Sequence, residues 1–257
     1  HVEAPTGGSV LLAGVLLKMG GYGLIRIAFC LMPEAAKYYA LPMAILGVIS
    51  MVYGAFLALA QDDMKKMVAY SSVSHMGSVL LGLAVMNVNG FNGAIYQMFA
   101  HGLISAMLFM LCGILQHTFH TRRISELGGL ANRVPRLATF FVFTFFASLG
   151  LPLLAGFVAE LLVFLGAFSV YPALTLVAMI SLVITAAYYL WALQRAFFGP
   201  YRGFLEVHHP HDLTWYQSVP LTVLGALVLF FGICPAPILN VINVSSQYIL
   251  QLLGGVL

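Results

Sequence analysis

Seven long apolar runs dominate this sequence and restrict what it can fold into. They cover residues 6–30, 41–60, 66–87, 91–117, 135–169, 171–198 and 217–247. Each is close to or longer than the roughly 20 residues with which a helix crosses a bilayer. Of the 257 residues only 7% are charged, whereas a soluble domain carries about 25%. We therefore predict an all-α transmembrane fold with about seven spans, because lipid forces the backbone to satisfy its own hydrogen bonds.

The distribution of basic residues between the runs predicts an orientation. Alternate loops 61–66, 118–136 and 199–216 contain Lys65, Lys66, Arg122, Arg123, Arg133, Arg136 and Arg202, whereas the opposite loops 31–40 and 88–90 contain only Lys37. Cytoplasmic loops are enriched in Lys and Arg. We predict an integral protein of a bacterial inner membrane, with its N-terminus inside and its C-terminus outside. A mitochondrial inner membrane or a thylakoid is the alternative.

The run 135–169 is too long for one straight span. Gly150, Pro152 and Gly156 lie in its middle. Proline removes a helical hydrogen bond, so we predict a helix that is broken near mid-membrane. Such backbone is tolerated only inside protein or beside water and often marks a transport site. A kinked packing helix is the alternative interpretation.

Two charged residues lie inside apolar runs. Lys18 is near the middle of 6–30, with Tyr22 and Arg26 on the same face, and Glu160 is the only acid between 135 and 198. Charge at the centre of a membrane helix costs about 2.5–3.5 kcal/mol on insertion scales, so it usually serves a function. Both residues are candidate proton carriers.

Polar stripes on neighbouring runs add further candidates. By their spacing, three sets of polar residues each share one face of a predicted helix. They are Ser71, Ser74, His75 and Ser78; Gln97, His101 and Ser105; and Ser181, Thr185 and Tyr188. Histidine exchanges protons near neutral pH. Together with Lys18 and Glu160, His75 and His101 indicate a path for protons or small cations. Single Ser and Thr residues can instead join helices, and a lone His can be structural. No cofactor or metal site is predicted, and the three cysteines lie far apart.

Several segments resemble a known family. They are 1–6 (HVEAPT), 13–18 (AGVLLK), 63–77 (DMKKMVAYSSVSHMG), 100–103 (AHGL), 120–122 (HTR), 128–130 (GGL) and 156–160 (GFVAE). The sequence is similar to the antiporter-like chain M, or subunit 4, family of respiratory complex I, the NADH–quinone oxidoreductase. The resemblance extends from residue 1 to about 198 and is weaker beyond.

This resemblance implies a single membrane domain over 1–257 with a repeated architecture. The family has fourteen helices that include two inverted five-helix repeats. Residues 1–30 would be the last helix of the first repeat, 41–198 the second repeat, and 217–247 a C-terminal helix. The broken helix belongs to the second repeat.

The resemblance also implies a function and a role for each candidate residue. Lys18 matches the central lysine of the family, His75 and His101 match histidines of its central axis, and Glu160 matches the terminal acid. The chain would translocate protons as a non-redox subunit of an NADH:quinone oxidoreductase. Iron–sulfur clusters, flavin and quinone would lie in partner subunits. The chain would contact lipid and other membrane subunits, including antiporter-like ones, and would not bind nucleic acid.

Several alternatives remain open. The family's glutamate–lysine pair on its fifth and seventh helices would precede residue 1. We therefore expect the sequence to be part of a longer subunit, the alternative being a first half that is a separate polypeptide. Related functions are a multisubunit sodium/proton antiporter and a ferredoxin- or hydrogenase-linked membrane complex. A structural spacer, in which Lys18 and Glu160 are dispensable, is a fourth possibility.

Overall fold

The computed structural model describes residues 1–201 and 210–254, and this part of the chain is helical without a strand. Its helices are α1 (Thr6–Phe29), α2 (Pro33–Tyr38), α3 (Ala40–Leu59), α4 (Met64–Ala84), α5 (Val88–Phe119), α6 (Pro135–Ser148), α7 (Ala155–Val170), α8 (Pro172–Ala196), α9 (Trp215–Ile233) and α10 (Ala236–Leu252). A 3₁₀ turn occupies Leu130–Asn132. Arg202, one of the basic residues behind the predicted orientation, lies outside the described residues.

The all-α transmembrane prediction is confirmed. By length and composition, α1, α3, α4, α5, α8 and α9 could each cross a membrane. The run 135–169 is divided into α6 and α7, which are separated by an irregular segment from Leu149 to Leu154. The chain is therefore an integral membrane protein with a broken helix where the sequence predicts one.

One predicted boundary is wrong. The run 217–247 was expected to form a single C-terminal helix, but the chain leaves the helix at Cys234 and restarts at Ala236. The cause is Pro235, because a proline disfavours helical backbone at the residue before it. Cys234 accordingly has φ −119° and ψ 74°.

Two of the helices that carry candidate residues, α1 and α4, differ in their surroundings. Of an 18-residue apolar stretch in each helix, 72% is buried within the chain in α4 but only 11% in α1, so α1 lies at the edge.

Glycines bring α3 and α4 into backbone contact. A Cβ on Gly77 would lie 2.6 Å from the carbonyl oxygen of Gly47, and one on Gly54 would lie 2.8 Å from the amide nitrogen of Ser74. Close approach through small residues is the usual way in which membrane helices pack.

The N-terminus of α4 is fixed by an acidic cap. The Asp63 carboxylate accepts hydrogen bonds from the amides of Lys65 and Lys66, at 2.8 and 3.2 Å. It also forms an ion pair with Arg122, which follows the end of α5, at 3.0 Å. An Asp cap satisfies amides that a helix start leaves unpaired. The cap therefore joins α4 to the loop after α5.

Candidate functional site: a buried line of lysine, histidines and glutamate

The four predicted site residues lie next to one another although they come from four helices. Lys18 is on α1, His101 on α5, His75 on α4 and Glu160 on α7. Both histidines and Glu160 are less than a tenth exposed. They form a continuous line, in the order Lys18, His101, His75, Glu160.

The line begins with a direct contact between two basic groups. The Nζ atom of Lys18 lies 2.8 Å from Nδ1 of His101. Nζ also donates to the carbonyl oxygen of Ala13, which belongs to a π-helical turn, Leu12–Leu16. Two positive charges 2.8 Å apart would repel by about 6 kcal/mol at an effective dielectric constant of about 20. Lys18 and His101 are therefore arranged to share one proton rather than to be charged together.

The second half of the line contains a histidine pair and an acid. The rings of His101 and His75 have centroids 5.5 Å apart. Nδ1 of His75 lies 3.4 Å from Oε1 of Glu160 and 3.4 Å from the amide nitrogen of Gln97. A protonated His75 would attract an ionised Glu160 by about 5 kcal/mol at the same effective dielectric constant. The charge of each group therefore depends strongly on that of the other.

The helix break gives Glu160 its position. Gly150 and Leu153 both have positive φ, 81° and 78°, and the chain turns there between α6 and α7. A Cβ on Gly150 would lie only 2.5 Å from Oε2 of Glu160. The irregular backbone thus leaves room for the carboxylate beside it, which a continuous helix would not provide.

Two small cavities adjoin His75. One, of about 10 Å³, is lined by residues that include His101, Gln97 and Glu160. The other, also about 10 Å³, is lined by Glu160 with Ser78 and other residues. One water molecule needs roughly 10–15 Å³ and several polar partners. Each cavity therefore approaches the size at which a single water could connect neighbouring groups.

Other polar residues of the predicted stripes donate to backbone carbonyls instead. Ser74 donates to the carbonyl of Met51 on α3, at 2.8 Å. Ser78 and Ser181 donate to carbonyls of their own helices, at 2.7 and 2.6 Å. Tyr22 and Arg26, which share a predicted face with Lys18, are exposed and do not join the line.

Three buried polar residues were not predicted from the sequence, and two of them adjoin this site. Ser148 and Tyr189 reach His75 through hydrogen bonds, whereas the predicted stripe on α8 named Tyr188. The sequence signal that could have identified Ser148 is its position two residues before Gly150 of the helix break. Lys65, counted as a loop charge, lies in the first turn of α4 and is only 5% exposed, with Nζ donating to the carbonyl of Ala4 at 2.6 Å.

Two polar clefts open at the same end of the molecule as Lys65. One, of about 560 Å³, is lined by Lys65, Glu3 and Arg122 among others, and a second of about 620 Å³ includes Asp63 and Arg122. Within residues 1–201 and 210–254, no group of three His, Cys, Asp or Glu side chains is placed to hold a metal ion.

A family model described as "NADH:quinone oxidoreductase/Mrp antiporter, TM" matches residues 1–185, which include all four residues of the line. The chain belongs to this family. The F(420)H(2) dehydrogenase subunit M of Methanosarcina mazei is 44% identical over 257 residues, which are 99% of this chain and 51% of that protein. The NADH-quinone oxidoreductase subunit M of Rickettsia prowazekii is 41% identical over 250 residues, 97% of this chain and 51% of that protein. The chain thus spans about half the length of these relatives.

Solved structures of the family share the fold. A chain of respiratory complex I from Thermus thermophilus with bound NADH superposes with a TM-score of 0.90 at 32% identity, over 98% of this chain and 52% of that one. A chain of the Mrp complex from Dietzia sp. superposes with a TM-score of 0.83 at 20% identity, over 95% of this chain and 55% of that one. The second likeness shows the fold alone, whereas the first agrees with the resemblance found in the sequence.

Proposed function

We propose that this chain forms the second half of a proton-translocating membrane subunit of an NADH–quinone oxidoreductase. The observation that carries the proposal is the line from Lys18 through His101 and His75 to Glu160, inside a membrane fold. An intramembrane series of ionisable groups is typical of proton relays. Redox chemistry in other subunits, which would hold iron–sulfur clusters, flavin and quinone, would drive it.

The geometry supports a stepwise relay. A proton that arrives at Lys18 passes to His101, because the contact between Nζ and Nδ1 accommodates one proton. Water in the cavity beside His101 and His75 carries it onward. A proton on His75 then favours the ionised form of Glu160, so Glu160 releases its own proton. Each transfer thus prepares the next through the charge it creates.

The proposed setting follows from the positions of the charges. The chain would lie in a bacterial inner membrane, with its N-terminus inside and its C-terminus outside. Its partners would be other membrane subunits, including neighbouring antiporter-like ones, and lipid. The relatives are subunits of NADH-quinone oxidoreductase and of F(420)H(2) dehydrogenase.

A second candidate is the same relay coupled to a different electron donor. The relative from M. mazei, at 44% identity, favours it, because its name assigns it to an F(420)H(2) dehydrogenase rather than an NADH enzyme. The line of residues is common to both candidates. They differ only in the partner subunits.

The test is the variant Glu160→Gln in the intact assembly, reconstituted into vesicles and supplied with NADH or reduced F420. We expect proton translocation per electron to fall at least several-fold, because an amide cannot carry the proton. The matched control is Glu34→Gln, since Glu34 is exposed and pairs with Lys37 at the surface. Unchanged translocation in Glu160→Gln would contradict the relay. The donor that is oxidised decides between the two candidates, and sodium transport without either donor would favour an antiporter.

A further inference from the structure

Three hydroxyl groups from three helices form a chain that ends on His75. Oγ of Ser148, on α6, lies 3.3 Å from Nε2 of His75 and 2.8 Å from the hydroxyl of Tyr189, on α8. The Tyr189 hydroxyl donates to Oγ of Ser71, on α4, at 3.0 Å. Ser71 in turn donates to the carbonyl oxygen of Val68, at 2.8 Å. This hydroxyl chain contacts the ring nitrogen of His75 that faces away from Glu160.

The number of available protons gives the hydroxyl chain a direction. A carbonyl oxygen only accepts, and each hydroxyl has a single proton to donate. Ser71 uses its proton on Val68, so its oxygen accepts from Tyr189. The proton of Tyr189 is then occupied, and Ser148 must donate to the Tyr189 oxygen. The oxygen of Ser148 is left as an acceptor towards His75.

An acceptor at this position selects one form of the imidazole ring. A neutral histidine carries its proton on one ring nitrogen only, and the hydrogen bond of the other nitrogen decides which. Because Ser148 accepts, the proton of neutral His75 lies on Nε2. Nδ1 then carries a lone pair that accepts from the Gln97 amide and faces the carboxyl group of Glu160, each at 3.4 Å.

Packing keeps the hydroxyl chain in place. Tyr189 is fully buried, and its ring lies against Phe145 and Tyr188, with centroids 4.6 and 4.5 Å away. Phe145 is on the same helix as Ser148. The tyrosine ring therefore has little freedom to withdraw its hydroxyl from Ser148.

We propose that Tyr189, acting through Ser148, is a positioning residue that keeps the proton of neutral His75 on Nε2. The consequence is that His75 gains and loses its mobile proton on Nδ1, the nitrogen that faces Glu160. The relevance to transport rests on the proposed relay, whereas the ring form itself can be measured independently of it.

The experiment is ¹⁵N NMR of the intact assembly in lipid, with its histidine rings labelled. Subtracting the spectrum of a His75→Asn assembly isolates the signals of His75. We expect the Nε2–H form in the unmodified protein and a mixture of both neutral forms in Tyr189→Phe, since Ser148 is then free to donate. The control is Tyr96→Phe, which removes a buried hydroxyl bonded to the Phe231 carbonyl at 2.6 Å and should leave His75 unchanged. An Nδ1–H form in the unmodified protein, or no change in Tyr189→Phe, would overturn the proposal.

A second pair of variants separates positioning from loss of structure. Ser148→Ala removes the link to His75 and should produce the same mixture of ring forms, whereas Ser148→Thr keeps a hydroxyl and should restore the Nε2–H form. If Ser148→Thr behaved like Ser148→Ala, the hydroxyl would not be the cause and the proposal would be wrong.

Proton translocation per electron, measured on the same assemblies, tests the link to function. We expect a several-fold loss in Tyr189→Phe and Ser148→Ala, and recovery in Ser148→Thr. A changed ring form with unchanged translocation would support the positioning role and contradict the relay through His75. A loss of translocation with an unchanged ring form would overturn the positioning role and leave the relay standing.

Discussion

The substitution Gly150→Ala should disturb the helix break in two ways. Gly150 has φ +81°, and left-handed backbone costs an L-residue about 1–2 kcal/mol. The new Cβ would also lie 2.5 Å from Oε2 of Glu160. The flexible Glu160 side chain must then shift, and a displacement of about 30° from a rotamer costs about 0.5–1.5 kcal/mol. Together these effects lower the free energy of unfolding by about 1.5–3.5 kcal/mol.

Thermal unfolding of the purified assembly measures this loss, and vesicle assays measure its effect on proton translocation. We expect a melting temperature lower by several degrees and less translocation per electron, since the Glu160 carboxylate leaves its place beside His75. The matched control is Gly20→Ala in α1, where nothing lies within 4 Å of the new Cβ. That change should stabilise the helix by up to about 1 kcal/mol, because alanine favours helix more than glycine does.

A double-mutant cycle isolates the contact. Glu160→Asp shortens the side chain by one methylene and withdraws the carboxylate from Gly150. In that background Gly150→Ala should cost only the backbone part, about 1–2 kcal/mol. An equal loss in both backgrounds would refute the contact between the two residues. No loss in either background would refute the left-handed conformation at the break.

Substitutions at three further positions test other parts of the structure. Gly77→Ala should prevent the close packing of α3 against α4, because its Cβ would lie 2.6 Å from a backbone oxygen. The yield of folded subunit in membranes measures the loss of packing. Asp63→Ala should lower the free energy of unfolding by about 1 kcal/mol, because the helix cap is lost. Asp63→Asn should lower it less, since the side-chain oxygen of asparagine still accepts from the amides, and melting temperatures of the two variants test the difference. Lys18→Arg should translocate as poorly as Lys18→Met, because a guanidinium keeps its proton; if the arginine variant pumped normally, charge alone would suffice at this position.

The spans were predictable because the membrane imposes length and hydropathy on each helix separately. The break was predictable for a similar reason, since Gly150 and Pro152 act on their own backbone. Lys18 and Glu160 were found because charge in an apolar run is conspicuous. Those signals are local, and each can be read without knowing which helices touch.

The hydroxyl chain could not be predicted in this way. Tyr188 and Tyr189 are adjacent on α8, so they point about 100° apart, and only packing decides which one reaches Ser148. Because α8 is apolar around most of its circumference, its sequence does not fix its rotation. The sequence places Lys65 in the loop 61–66 because that loop also contains Asp63, which in the structure caps the helix one residue later. The restart at Ala236 was missed because the residues on both sides of Pro235 are apolar.

The helix break also places fixed dipoles beside the mobile protons. A helix carries about half a negative charge at its C-terminus and half a positive charge at its N-terminus, and the effect fades within one turn. Ser148, the last residue of α6, contacts His75, so His75 lies at the negative end of α6. Glu160 lies in the second turn of α7, where the positive end of that helix acts more weakly on it. The break thus places opposite ends of two helix dipoles beside the last two groups of the line, His75 and Glu160.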